Sequence, residues 1–218
     1  MTKEDLSYIK RLVEEKLING PVLELGAGYG GDTCKQRITA QGLEYHATDI
    51  TFSRGVDHVA DFESDEIFTY CSDNERFKTV LVLNVLEHTF NLIRVLDNAR
   101  KLLDRDGSIV DITPRIWPLH HYPINCYRLL PNFHERYAES RKMRLGPKCF
   151  EYLEYGPIAS NLNVGGDYRF PLPMYGFSYW KSRVVHRLFN TFGRGMSAPN
   201  HVAIGAVISM NNRPDSSN

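Results

Sequence analysis

Residues 23–32 read LELGAGYGGD, an apolar strand that stops at a run of glycines and resumes as a polar helix. No other stretch limits the fold so strongly. Glycine lets the backbone turn tightly and lets a ligand approach without a Cβ in the way, and strand–glycine turn–helix is the opening unit of open α/β sheets that bind nucleotides. Gly26, Gly28 and Gly31 fit the dinucleotide spacing GxGxxG, whereas Gly26, Gly28 and Gly30 fit GxGxG. The loop alone does not choose between them.

The runs that follow extend the same architecture. Leu6, Ile9, Leu12, Val13 and Leu17 recur at helical spacing, which predicts an amphipathic N-terminal helix from about Lys3 to Leu17. Pro21–Leu25 predicts a short buried strand, about Asp32–Gln41 a polar helix, and Glu44–Asp49 a second strand. FKTVLVLN, Phe77 to Asn84, is a continuous apolar run, as a central strand covered on both faces requires. Asn91–Leu103 reads as a helix with Leu92, Val95, Leu96, Ala99 and Leu102 on one side; Asp106-Gly107 then turns it into the strand Ser108–Thr113. Strands alternating with helices predict parallel βαβ units and a doubly wound α/β sheet. The second half adds strands at Lys148–Tyr155 and Val202–Met210. The whole reads as one domain over 1–210, with an insertion at about 156–201 and a polar tail, 211–218.

Three features beside the loop select a ligand. Glu24 lies two residues before Gly26, Asp49 ends the second strand, and Val59-Ala60-Asp61-Phe62 begins ten residues beyond it. A carboxylate at Glu24 would repel a dinucleotide pyrophosphate and welcome a cation. An acid at Asp49 suits ribose hydroxyls whichever cofactor carries them. This set resembles motif I and its followers in the class I S-adenosylmethionine-dependent methyltransferases, and Asn84-Val85-Leu86-Glu87-His88 resembles the fourth motif of their small-molecule branch. The resemblance spans about Val22 to Thr113. It implies a seven-stranded sheet ordered 3-2-1-4-5-7-6 with an antiparallel last strand at Val202–Met210. It further implies S-adenosylmethionine as cofactor, leaving as S-adenosylhomocysteine, with Glu24, Gly26, Ala27, Gly28, Asp49, Asp61, Phe62 and Asn84 as its binding residues.

The acceptor side is read from TPRIWPLHHYPINCYRLLP, Thr113 to Pro131, which follows the strand facing the methyl group in that fold. It resembles the HYPxDxWR segment of methyltransferases of sugar pathways, with Asn125 and Tyr127 standing at the Asp and Trp positions. Trp117, Tyr122, Tyr127 and Arg128 are the expected acceptor contacts. Oxygen methylation needs a base near neutral pH, so His88, His120 and His121 are its candidates, each also readable as a hydrogen-bonded loop histidine. From Tyr168 to His201 there are five Lys/Arg and no Asp or Glu, with an aromatic-basic helix from about Ser178 to Phe192. That helix reads as a cover for the sheet, a homodimer face, a lid over an anionic acceptor, or an element that touches a membrane surface.

Composition excludes several other classes. Lys+Arg and Asp+Glu balance at 26 each, and neither an NPPY motif nor a broad basic face argues for nucleic acid. Cys34, Cys71, Cys126 and Cys149 form no CxxC pair, which argues against a zinc ribbon and suits a reducing, cytoplasmic setting. No Asp-Asp-Asn set suggests a catalytic metal. No run reaches the roughly 20 apolar residues of a membrane span. The expected function is methyl transfer to a small molecule or glycan, most readily at oxygen. A non-catalytic binding module and an NAD-dependent oxidoreductase are the alternatives.

Overall fold

A computed structural model of the chain describes residues 1–28, 31–69, 76–115, 124–154, 184 and 201–211. Its centre is a sheet whose middle strands are β1 (Val22–Leu25), β4 (Phe77–Leu83) and β5 (Leu103–Pro114). β1 pairs in parallel with β2 (Tyr45–Asp49) on one side and with β4 on the other, and β2 carries the two-residue β3 (His58–Val59) at the edge. Beyond β5 lies the antiparallel β8 (His201–Ser209). The outer edge of β8 is taken by two short segments, β6 (Arg144–Leu145) and β7 (Glu151–Glu154), both antiparallel to it. They share one position in the sheet, so the order is 3-2-1-4-5-7-6 as expected, with the sixth strand split in two.

Side-chain alternation along the strands sorts the core into two layers. Leu23, Leu25, Val80, Val82 and Ile109 pack with Val95, Leu96, Ala99 and Leu102 of α3 (Leu92–Leu102) and with Tyr137 and Ala138 of α4 (Pro131–Ser140). Val22, Ala47, Leu81, Leu83, Val110 and Ile112 pack instead with Tyr8, Ile9, Leu12 and Val13 of α1 (Lys3–Glu14) and with Cys34 and Ile38 of α2 (Gly31–Thr39). Since both faces are covered, the sheet meets a ligand at its strand ends.

Two places depart from the sequence reading. The helix before β5 passes directly into the strand at Leu103, without a turn at Asp106-Gly107. Leu103 pairs with Phe77 and Ser108 with Thr79, so Asp104–Gly107 bulges out between them. A Cβ on Gly107 would lie 2.9 Å from the Phe77 carbonyl oxygen, which is why the bulge can close there. Helix α4 was not visible in the apolar pattern. It begins with Pro131 at its first turn and is latched to α3 by Arg141, which donates to both oxygens of Asp97 at 2.7 and 2.8 Å while Tyr137 Oη donates at 3.1 Å. That pairing, led by the Arg141 hydrogen bonds, holds the Asp97 carboxyl below the usual carboxylate range. The insertion at 156–201, its aromatic-basic helix and the tail lie outside the described residues, except for Val184, His201 and the first tail residue. Among the described residues no helix is long and apolar enough to cross a membrane.

The N-terminal helix is held at the far edge. Tyr8 Oη donates to the Lys148 carbonyl at 2.9 Å and Arg11 pairs with Glu151 at 2.5 Å. The Tyr8 ring lies flat on Gly205 of β8, where a Cβ would come within 2.4 Å of ring carbon Cε1. Gly205→Ala should therefore lose about 1–3 kcal/mol in urea unfolding through overpacking. The loss should shrink in a Tyr8→Ala background. Equal losses in both backgrounds would show that Tyr8 is not the obstacle.

Candidate functional site

The loop after β1 is shaped by two close approaches. Gly26 has φ +80°, and a Cβ there would lie 2.5 Å from Val85 Cγ2, so glycine lets the turn after β1 rest on the chain leaving β4. Ala27, buried, donates from its backbone to Thr48 O at 3.0 Å. Gly28 N–H donates to Asp49 Oδ2 at 2.9 Å, and a Cβ on Gly28 would come within 2.7 Å of that oxygen. Asp49 Oδ1 accepts from the Thr51 backbone and hydroxyl at 2.9 and 3.1 Å. The carboxylate is thereby aimed at the mouth of the glycine loop. Beside it stand Ile50 and Phe52, apolar yet 58% and 83% exposed, which no motif in the sequence marks.

Three other expected cofactor residues are engaged elsewhere. Glu24 is buried between β1 and α2: Tyr45 Oη donates to its Oε2 at 2.5 Å and the Cys34 thiol donates as well. Burial pushes its carboxyl pKa up, against those two hydrogen bonds. The Phe62 ring is a core side chain at 6% exposure, and its carbonyl accepts from Asn98 Nδ2 at 3.0 Å. Asp61 Oδ1 accepts the Glu63 backbone N–H at 2.8 Å and so organises a turn.

At the end of β4, Asn84 adopts φ +56°, a left-handed conformation that turns the chain out of the sheet. Its backbone N–H donates to Ile112 O at 2.8 Å and its Nδ2 to Asp5 Oδ2 at 3.3 Å. Asp5 belongs to a reciprocal cap with Thr2 at the start of α1 and is 1% exposed. Its Oδ1 has no hydrogen-bond partner among the described residues. The short helical turn Leu86–His88 follows, carrying the buried Glu87.

The chain that returns at Ile124 is strapped onto this turn. Cys126 and Tyr127 donate their backbone N–H groups to Glu87 O at 2.7 and 3.4 Å, Tyr127 Oη donates to Phe90 O at 2.9 Å, and His88 Nδ1 donates to Ile124 O. Arg128 donates to Asn125 Oδ1 and, at 2.8 Å, to Tyr127 O. His88, Tyr127 and Arg128, separated by about forty residues in the chain, thus meet at the carboxyl end of the sheet. Trp117, His120, His121 and Tyr122 lie outside the described residues.

Behind the strap, Asp111 in β5 and His134 in α4 are fully buried and joined, Oδ2 to Nε2, at 2.8 Å. Desolvation raises the Asp111 pKa, opposed by His134. No motif marks either residue, although an Asp inside SIVDIT is itself a signal: a carboxyl in a central strand needs a partner.

No protein-family model and no curated protein matches the sequence. Solved structures do match. A SAM-dependent methyltransferase from Archaeoglobus fulgidus is 15% identical, with a TM-score of 0.57, over 95% of this chain and 94% of that one. Burkholderia thailandensis 1,6-didemethyltoxoflavin-N1-methyltransferase, solved with its substrate and S-adenosylhomocysteine, is 13% identical, with a TM-score of 0.59, over 96% of this chain and 79% of that one. The [4+2]-cyclase SpnF is 13% identical, with a TM-score of 0.52, over 92% of this chain and 80% of that one. The fold is that of the class I S-adenosylmethionine-dependent methyltransferases. SpnF shows that this fold carries other chemistry too, so activity has to be argued from the site.

Removing one partner of the Asp111–His134 pair strands the other in the core. His134→Ala should cost about 3–5 kcal/mol in denaturant unfolding, and adding Asp111→Leu should restore part of it. A His134→Ala loss below about 1 kcal/mol would mean the pair contributes nothing specific to the fold.

Proposed function

We propose that the chain is an S-adenosylmethionine-dependent methyltransferase acting on a small molecule or glycan, with oxygen as the methylated atom. The observation that carries this reading is the chemistry gathered around the glycine loop. Gly28 opens onto the Asp49 carboxylate with exposed Ile50 beside it, while the Gly26 turn rests on the chain that leads to Asn84, Asp5 and Glu87. A ribose diol suits Asp49, an adenine face suits Ile50, and a cation suits a region whose buried side chains are acidic. A dinucleotide would bring a pyrophosphate to the same turn and meet carboxyls there.

The residues present fit such a cofactor at both ends. Asp49 would take the ribose hydroxyls and the backbone of Gly26–Gly28 would lie along the thioether chain. Asn84 and Asp5 would meet the methionine end, where the Asp5 Oδ1 that lacks a partner would find an ammonium donor. Glu24, enclosed by Tyr45 and Cys34, would act from beneath by holding β1, β2 and α2 in register. When bound, S-adenosylmethionine supplies a methyl group on a sulfonium, which a nearby nucleophile can displace in line. The protein's part is then to hold the acceptor close, exclude water and accept a proton.

Titration calorimetry should find binding of S-adenosylmethionine and S-adenosylhomocysteine and none of NAD; NAD binding alone would overturn the reading. Asp49→Ala should weaken S-adenosylhomocysteine binding at least about tenfold, since each charge-assisted hydrogen bond contributes roughly 1.5–3 kcal/mol and 1.4 kcal/mol is tenfold. An unchanged Kd in the folded variant would remove Asp49 from the site.

A further inference from the structure

Each buried carboxyl in the described residues but one has a neighbouring side chain to bond: Glu24 has Tyr45, Asp49 has Thr51, Asp5 has Asn84 and Asp111 has His134. Glu87 is the exception. It is 2% exposed, its Oε2 has no hydrogen-bond partner among the described residues, and its Oε1 lies 3.6 Å from His88 Nε2. A buried polar atom left without a partner is destabilising, and such atoms recur at sites whose partner is a ligand. Glu87 also stands where the turn after β4 meets the strap bearing Tyr127 and Arg128, with Cys126 and Tyr127 bonded to its own carbonyl.

We propose that Glu87 takes the proton of the acceptor, and that the acceptor group is a neutral hydroxyl. The proposal deepens the methyltransferase reading and rests on it. An amine attacks through a lone pair it already has and can lose its proton afterwards. An alcohol or phenol gains nucleophilicity only as its proton leaves. As the acceptor oxygen bonds to the donated methyl carbon, the carbon–sulfur bond breaks with its electron pair on sulfur, and the hydroxyl proton passes to the Glu87 carboxylate. His88 provides the way out. Its Nδ1–H is committed to the Ile124 carbonyl, so in the neutral ring Nε2 is the acceptor, 3.6 Å from Glu87 Oε1 and partly open to solvent.

The charges facing Glu87 tune it for this role. Burial pushes its pKa up to about 8; its own backbone N–H and Arg128 of the strap oppose the rise, and Asp111 of β5 and Asp5 of α1 add to it. His88, on the same turn, is a further titratable neighbour among the described residues. A carboxylate of that basicity is a far stronger base than a surface glutamate, and it becomes available as pH rises through about 8.

The sign of the stability effect follows. The folded chain holds a proton that the unfolded chain, with the ordinary value of 4.5, releases, so this stability is fully present below 4.5, falls as pH rises from there and is lost once pH passes about 8. Glu87→Gln keeps the shape of the protonated form and removes that loss. The variant should therefore melt at a higher Tm than wild type at pH 9 and at the same Tm at about pH 4, below that ordinary value. Its Kd for S-adenosylhomocysteine should stay within about threefold. Turnover with labelled S-adenosylmethionine, on whichever alcohol, phenol or sugar the wild type methylates, should fall about 10²–10⁴-fold, and the limb of the pH profile near 8 should vanish. Glu87→Asp, shorter by one methylene, should recover part of the rate. Failure of the wild type to bind S-adenosylmethionine or S-adenosylhomocysteine would instead strike at the methyltransferase reading. With cofactor binding intact, any of three results overturns the role of Glu87: full turnover with an unchanged pH profile, a wild type that methylates amines only, or no gain in Tm at pH 9.

Discussion

Burying β1, β4 and β5 on both faces is the constraint on which the rest of this molecule depends. Val22, Leu23, Val80, Leu81, Ile109 and Val110 are fully buried, on whichever face they point. Every strand of that central group runs the same way, so their carboxyl ends open at one edge. A ligand can be met only there, by whatever residues the chain carries as it leaves the sheet. Gly26 resting on Val85 brings two of those exits into contact. The Gly28–Asp49 bond adds the end of β2, and the backbone bond from Asn84 to Ile112 adds β5.

The edge is divided by chemistry. On the glycine-loop side, the Asp49 carboxylate is held by the Gly28 and Thr51 N–H groups, and apolar Ile50 and Phe52 lie open. On the β4 side, acidic groups are packed more deeply than their bonding allows, with Asp5 and Glu87 each leaving an oxygen unpaired among the described residues. Burial raises the pKa of Glu87, with Asp111 and Asp5 adding to the rise, and this weakens the fold at high pH, a cost that a purely structural core would avoid by using apolar residues. A site that must greet a cation and then accept a proton has a use for both properties. Stability given up at a site in this way is a common companion of activity.

Solved structures of this fold at 12–15% identity include methyltransferases and a cyclase, so the sheet order by itself leaves the reaction open. What narrows it is which side chains the exits carry. The strap from Ile124 to Arg128 matters here because it ties the chain beyond β5 to the turn beyond β4 through backbone bonds to Glu87 and side-chain bonds from His88 and Tyr127.

Local sequence determined the elements because each depends on short-range properties. The glycine run after Leu25, the period of the apolar residues in α3 and the continuous run in β4 are visible within ten or so residues, and with them came the positions of Gly28, Asp49 and Asn84 at strand ends; the sheet order came from the family resemblance. Helix α4 escaped because its hold is a long-range one, the Arg141–Asp97 pair. The partners of the acidic residues escaped for the same reason. Glu24 reads identically in sequence whether it faces a cofactor or Tyr45, and Phe62 whether it covers a ring or fills the core. His88 was legible as a candidate, but the bond that orients it comes from 36 residues away. Asp5, Glu87, Asp111 and His134 acquire their character only from burial and from one another. Charge, desolvation and hydrogen-bond partners are properties of a place in the fold, and tertiary structure alone decides who shares that place.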